Sequence, residues 1–596
     1  MKPRVRIASS VFCGVLAFAG AGSLRAAPNA AVDGVADQAL RSEIATALGE
    51  SASPPTSPLQ ARKRAIQAAK DAVALLRSEG YYDGLAEAEP IGVAQPRAAV
   101  RVTTGSRFHL ADPILQWTGS PPIATAEAAA KSAMGLRAGG PGRATDVLAA
   151  EGRIIARLHN LGYADAALEP REVIVDHADD TVRPTFHVAA GSRVTMGAVR
   201  LATHGKTQSK WVTGLTPWKV GAVYDPALLA KLEKRLEDTN VYESATVNLA
   251  PATGAGDAPR PIDVSLVDRK PRTLELGASY STSEGSGVDG KLTFYNRLGL
   301  GDALVLTLRG YDIQQKLDLE EDLPDWLKPD QTLKIGGGFL GDRTAAYDDL
   351  GGGLRVSVAR KFDRTTSVSL GAAFDYTATT ERDAANLLSA PVGKALSLYI
   401  ATLKAGFVLD RSNSILNPTR GWRLEVDAEP AEVTGDRNLA YLKSQVQVTG
   451  YLPVGGMGPV LAARFRVGSI AGGSIPELPA DRRFYSGGGG SVRGYGYQGV
   501  GPRLSDNTPV GGLSLAEASL EIRQPVTRQW GLVAFADAGR IGSSAIPAFN
   551  GVSAGAGLGV RYDLGFGPLR LDLATPLNPR PGDARVQVYI SIGQAF

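Results

Sequence analysis

The chain has 596 residues, too long for one ordinary domain at roughly 150 residues each. Its formal charge of +4 is small for that size, so bulk charge calls for neither nucleic acid nor an acidic substrate. Beyond the N-terminus no run reaches the ~20 apolar residues a spanning helix needs, so any spanning part must be a β-barrel.

The chain opens on a basic stretch, Met1-Lys2-Pro3-Arg4-Val5-Arg6, followed by an uncharged apolar run over 7–24 and small residues from Ala19 to Ala30. This predicts a Sec signal peptide over 1–27, with several candidate cleavage points. The only cysteine, Cys13, lies inside the run and follows Ser-Val-Phe rather than a lipoprotein-type sequence. The exported chain is thus expected to enter an oxidising compartment without a disulfide, held by packing and backbone pairing.

One pattern then occurs three times: a basic amphipathic helix, a turn with tyrosine, and a strand. The copies read ALLRSEGYYDGLAEAEP, ARLHNLGYADAALEP and KRLEDTNVYESATVNLA, with Tyr81, Tyr163 and Tyr242 taken in register. Gly105-Ser106-Arg107 and Gly191-Ser192-Arg193 end the first two units, each before a new alternating strand. The predicted boundaries are 28–105, 106–191 and 192–269. In the third unit a strand through Val194, Met196 and Ala198 precedes helices over 208–215 and 226–236, then strands over 241–249 and 262–267, a β-α-α-β-β order. The first unit is less regular, with a short opening strand over 31–35 and a Ser/Pro-rich loop over 51–58 between its helices. This order, exported and placed before a barrel, resembles the POTRA domain. The resemblance implies three tandem α+β POTRA units whose open sheet edges can pair with partner strands.

From Arg272 the texture becomes short segments of period-two alternation rich in Gly and Thr. Leu304, Leu306 and Leu308 alternate with Val305, Thr307 and Arg309; Leu354, Val356 and Val358 alternate with Arg355, Ser357 and Ala359. In a membrane barrel the apolar set faces lipid and the polar set lines a wet lumen, whereas a soluble sandwich would bury the apolar set. About fifteen strands are legible over 270–596, and a closed single-chain bacterial barrel takes an even number, so sixteen antiparallel strands are predicted, the missing one between Leu317 and Leu403. The last segment alternates Val586, Val588, Ile590 and Ile592 with Gln587, Tyr589 and Ser591 and ends on Phe596. Tyr589 and Phe596 on this strand look like a C-terminal outer-membrane targeting signal.

Between strands ending near Ile470 and starting near Ser514 lies a loop of about forty residues, a length that usually carries a role. Gly494-Tyr495-Gly496-Tyr497-Gln498-Gly499 within it matches GxGxxG, but no βαβ unit surrounds it, so a dinucleotide site is rejected. Counting strands back from Phe596 makes this the sixth outer loop. Its RFYSGGGGSVRGY resembles the loop-six motif of the BamA/TamA/FhaC superfamily, carried here by Val492, Arg493, Gly494 and Tyr495. The companion strand-thirteen motif, aromatic-x-Asp-x-Gly, is present as Phe535, Asp537 and Gly539. The resemblance implies that the loop folds into the lumen and that Arg493 meets Asp537 and a strand-twelve glutamate. Alternation of Ala518, Leu520 and Ile522 with Glu517, Ser519, Glu521 and Arg523 turns Glu521 inward for that role. A guanidinium holds carboxylates bidentately, and glycines let the loop pass close to the wall.

The five histidines, His109, His159, His177, His187 and His204, are scattered through the repeats, so neither catalysis, a metal nor a cofactor is expected. Three POTRA units before sixteen strands resemble the TamA branch of the superfamily. That implies assembly of autotransporters and other outer-membrane proteins with a TamB-like, inner-membrane-anchored partner, engaged through the first POTRA unit. Unfolded clients are expected at a weakly paired seam between 273–281 and 586–596, where Gly593 and the serines of the first strand weaken packing. Outer-membrane lipid is the surrounding medium, and no nucleic-acid partner is expected. A secretion pore for a dedicated partner and anterograde phospholipid transport are the alternatives. A passive porin would not need the repeats.

Overall fold

The computed structural model describes residues 27–592 except 52, 92–95, 203–204, 253–258, 382–394, 456–457 and 566. The expected signal peptide, His204, Gly593 and Phe596 lie outside the described residues. The chain divides into two compact units, and the division falls within the third repeat.

The first unit holds two α+β modules. In module one, helices α1 (Gln38–Leu48) and α2 (Pro58–Ser78) pack on a sheet in which Arg97–Thr103 lies between Ala31–Asp33, parallel, and Leu85–Ile91, antiparallel. Local chemistry starts both helices: Asp37 accepts from the Ala39 N–H, and Ser57 accepts from the Gln60 N–H with Pro58 in the first turn. Leu40, Ile44 and Leu48 form one buried stripe of α1, and Ala65, Ala68, Ala72 and Leu76 one of α2. Module two repeats the plan with α3 (Ala124–Met134) and α4 (Ala144–Asn160), and its central strand Thr181–Ala189 pairs parallel with Ile114–Trp117 and antiparallel with Glu172–Asp176.

The Gly-Ser-Arg markers have a mechanical meaning. The second helix of each module ends on a left-handed residue, Gly80, Gly162 or Asn240, with φ of 95°, 98° and 59°. The arginine at the module's end returns to cap that turn: Arg107 donates to the Glu79 carbonyl at 3.1 Å, Arg193 to Leu161 at 3.3 Å and Arg269 to Asn240 at 2.7 Å. This corrects the sequence register, because Asn240 matches Gly80 and Gly162, so Val241 rather than Tyr242 is the counterpart of Tyr81 and Tyr163. Aspartates two residues past those tyrosines reach the following module: Asp83 meets the His177 ring at 2.7 Å, and Asp165 receives the Arg260 guanidinium, Nη1 at 2.8 Å.

The second unit carries most of module three and the barrel. Helices α5 (Ser209–Gly214) and α6 (Pro226–Asp238) bury Val212, Leu229, Leu232 and Leu236 over a three-stranded sheet. The loop before α5 is fastened to the barrel turn over 296–302. Gln208 donates its backbone N–H to Gly299 and its side-chain amide to Leu298, each at 2.8 Å, and the Asn296 amide donates to the Thr207 hydroxyl at 2.9 Å. The turn is held from inside by Asp302, fully buried, which accepts from the N–H groups of Arg297, Leu298 and Leu300 at 2.8–3.1 Å.

Sixteen antiparallel strands close the barrel, from the first (Arg272–Ser281) to the last (Gln587–Ile592). The expected total and the expected alternation are both present: Leu308, Leu354, Val356, Val586, Ile590 and Ile592 are exposed on the outer face, while Gln587 and Tyr589 are buried inward. Module three leads directly into the first strand, so the ends of the strands beside 296–302 lie on the module side. Pairing is uneven around the wall. The seventh (Thr366–Glu381) and eighth (Leu396–Asp410) strands pair continuously from Thr366 to Thr379. Between the described residues of the first and last strands, paired residues are confined to Tyr280 with Ile590 and Ser281 with Tyr589, extended by the Thr282 N–H donating to Val588.

Candidate functional site

The long loop over 472–513 joins strand eleven (Val460–Ala471) to strand twelve (Ser514–Pro525) and returns into the lumen. Its shoulders are fixed first. Phe484 and Gly512 exchange backbone hydrogen bonds at 2.9 and 3.0 Å. Buried Arg483 donates to the Glu381 carboxylate at 2.9 Å and to the carbonyls of Leu478 and Val510. Further in, the hydroxyls of Ser486 and Ser491 both donate to Glu517 on strand twelve.

At the tip, Arg493 is 1% exposed and meets carboxylates from three strands. Its Nε and Nη2 donate to Asp537 of strand thirteen (Trp530–Gly542) at 2.7 and 3.0 Å, and its backbone N–H donates to the same residue at 3.1 Å. Nη1 donates to Glu521 of strand twelve at 2.7 Å and to Asp572 of strand fifteen (Pro568–Pro576) at 3.1 Å. The guanidinium carbon lies 3.5 Å from the centre of the Phe535 ring, a cation–π stack inside a site that excludes solvent. Each member of the aromatic-x-Asp-x-Gly motif therefore has a contact: Phe535 carries the guanidinium plane, Asp537 takes its edge, and Gly539 leaves room for Val492, whose Cγ2 would lie 2.5 Å from an added Cβ.

Two other glycines are required by approach of the loop to the wall. Gly494 has φ of 99°, and a Cβ on Gly555 of strand fourteen (Ser553–Asp563) would stand 2.0 Å from the Arg493 carbonyl oxygen. Tyr495 donates to the Asn578 side-chain oxygen at 2.6 Å. Tyr589 is turned into the lumen, where its hydroxyl accepts from the Gly494 N–H and donates to the Tyr495 carbonyl, each at 3.2 Å.

The structure brings Arg493, Asp537 and Glu521 together, sets the Phe535 ring against the guanidinium, and adds residues the sequence reading missed. Asp572 is the third carboxylate. Arg523 bonds Glu521 at 2.8 Å, and Arg561 and Arg570 bracket Asp572, so four buried guanidiniums face three buried carboxylates. The inward parity that selected Glu521 also selects Asp572, which alternates with the outward Leu571 and Leu573. Burial of an ion pair is costly unless every charge is bonded, and here the fork of Arg493 is filled by bonds to all three carboxylates.

The family model described as the Omp85 superfamily domain matches residues 296–596, which takes in loop six and the strands that hold its arginine. The chain belongs to the Omp85 superfamily. Among curated proteins it is similar to the outer membrane protein assembly factor BamA of Neisseria meningitidis serogroup B, 24% identical over 502 residues, covering 75% of this chain and 62% of that protein. BamA of Nitratidesulfovibrio vulgaris is 23% identical, with 76% and 58% covered. The chain spans about three fifths of the length of these relatives. Among solved structures, BamA from Haemophilus ducreyi lacking POTRA domains 1-3 superposes with a TM-score of 0.70 at 19% identity, over 81% of this chain and all of that one, a likeness of fold. As an Omp85 protein the chain resides in the outer membrane with its POTRA modules in the periplasm, so the turn over 296–302 is periplasmic and loop six enters the lumen from the cell exterior.

Proposed function

We propose that this chain is a TamA-type assembly factor that helps insert or translocate autotransporters and other outer-membrane proteins. The observation that carries the reading is the seam, where among the described residues the first and last strands pair only around Tyr280, Ser281 and Thr282, leaving strand-edge N–H and C=O groups of the first strand for a client strand to cap. Three POTRA modules over 28–105, 106–191 and 192–269 favour the TamA branch, and module one offers its sheet edge to a TamB-like partner. Arg493 serves as a structural pin: it holds loop six against strands twelve, thirteen and fifteen inside the lumen, while the seam stays loose. A passive porin is disfavoured by the repeats and by that pinned loop.

The test is a lock across the seam. Tyr280→Cys with Ile590→Cys places two thiols on directly paired residues. Oxidation is expected to abolish insertion of an autotransporter client into reconstituted vesicles, and reduction to restore it. Full insertion by the oxidised barrel would defeat the proposal.

A further inference from the structure

Loop six reaches both sides of the seam at its outer end. On the side of strand sixteen it is tied to the outer turn over 577–586, which leads into that strand. Tyr495 donates to the Asn578 side-chain oxygen and Arg503 to the Asp583 carboxylate, each at 2.6 Å, and Arg580 reaches back to the carbonyls of Gly499 and Gly501 at 2.6 and 2.7 Å. On the side of strand one the partner is Glu284, in the hairpin turn before strand two (Gly285–Tyr295). Its Oε1 accepts from the Gly489 N–H at 3.3 Å, while the Gly489 carbonyl accepts from Arg570 of strand fifteen at 3.2 Å. One residue of the loop is thereby bonded to the wall on either side of the seam.

The hairpin is built to present that carboxylate. The Glu284 N–H donates to the Ser281 hydroxyl at 2.9 Å, which closes the turn on itself. Thr282 fastens the same turn to strand sixteen, its N–H donating to the Val588 carbonyl and its hydroxyl accepting from the Val588 N–H, each at 3.1 Å. The glycine run of the loop supplies the approach: a Cβ on Gly488, where φ is 101°, would stand 2.8 Å from the Glu284 Oε1, and one on Gly489 would stand 3.0 Å from the Tyr589 ring. We propose that Glu284 is the clasp of the seam, a positioning residue that fastens the hairpin of strands one and two to loop six, which Arg493 in turn pins to strands twelve, thirteen and fifteen. A carboxylate suits that task, because its bond to a backbone N–H is stronger than a neutral one and a single such bond is readily broken and remade. The use of the clasp rests on the assembly reading, in which clients meet the barrel at the seam.

The test is amide hydrogen exchange of the full chain in lipid nanodiscs, read by mass spectrometry. In Glu284→Ala the amides over 280–284 are expected to exchange about fivefold faster than in wild type, the shift left by one lost hydrogen bond. Those over 491–495 should keep their protection, because Arg493 and its carboxylates are untouched. Glu284→Gln keeps an acceptor oxygen and the side-chain shape without the charge, and should fall between the two. Unchanged exchange over 280–284 in both variants overturns the proposal. So does an acceleration shared equally by strands three (Ala303–Tyr311), five (Gln331–Arg343) and six (Tyr347–Lys361), which would mark general loosening of the barrel. Insertion of an autotransporter client, measured on the same preparations, reads the assembly proposal separately: no insertion by wild type together with the local exchange shift would remove that reading and leave the clasp.

Discussion

Two stretches of one barrel wall are built on opposite principles. Around strands twelve to fifteen the lumen side is crossed by loop six and tied by charge-assisted bonds from Arg493 to Asp537, Glu521 and Asp572. At the junction of strands one and sixteen the ladder among the described residues shrinks to Tyr280 and Ser281 with their partners, extended by Thr282. Strand sixteen belongs to both: Tyr589 bonds the loop backbone, while its neighbours Ile590 and Val588 face strand one. If the barrel parts at one line as proposed, the bonds from Arg493 lie away from that line.

The largest blow to that contrast is Arg493→Ala. It strands three buried carboxylates, and removing one partner of a buried pair costs about 3–5 kcal/mol. Loop six is expected to become cleavable by external protease and assembly activity to fall, while Arg493→Lys, which keeps the charge but loses the fork, should fall between the two. Unaltered protease resistance at normal barrel levels would mean that the arginine does not pin the loop. Next comes Gly555→Ala. A methyl group would collide with the Arg493 carbonyl, and overpacking of this kind costs about 1–3 kcal/mol, so loop displacement should appear with every charge intact. A smaller loss, about 1 kcal/mol, is expected for Tyr589→Phe, which deletes the hydroxyl joining Gly494 and Tyr495. Its more telling readout is crosslinking between Tyr280→Cys and Ile590→Cys, whose rate should change if strand sixteen transmits looseness from loop to seam and should stay constant if the two stretches are independent.

The periplasmic modules supply the reference for weak coupling. Arg260 holds the Asp165 carboxyl below the usual carboxylate range, so the pair stabilises at neutral pH and its contribution disappears as the pH falls through that lowered value. Because Asp165 is about half exposed, Asp165→Asn should cost only a few tenths of a kcal/mol in a neutral-pH melt of the full chain, with the difference from wild type vanishing in acid.

Much of this architecture was legible as alternation. Parity alone turned Glu521 inward, and the strand total was right once evenness was imposed on fifteen visible segments. The stretch between Leu317 and Leu403, where one unseen strand was expected, holds three whole strands among its described residues. Two of them, strands five and six, carry Gly336–Gly338 and Gly351–Gly353, which have no side chains to alternate. Asp572 escaped because no motif pointed to strand fifteen, although the same parity rule selects it. The register of the third repeat slipped by one because tyrosine was followed instead of the residue that ends the helix. In this chain the left-handed position, glycine twice and asparagine once, sets the repeat, and the aromatic beside it is present in two of the three copies.

The fastening of module three at Thr207 and Gln208 to the turn over 296–302 has a consequence in leverage. That turn joins strands two and three, and strand two is the inner neighbour of strand one. A pull on the Thr207–Gln208 segment of module three therefore enters the wall one strand away from the loose edge and on the far side of that edge from the arginine. That segment is hung on the leaf of the door, and loop six is bolted to the frame.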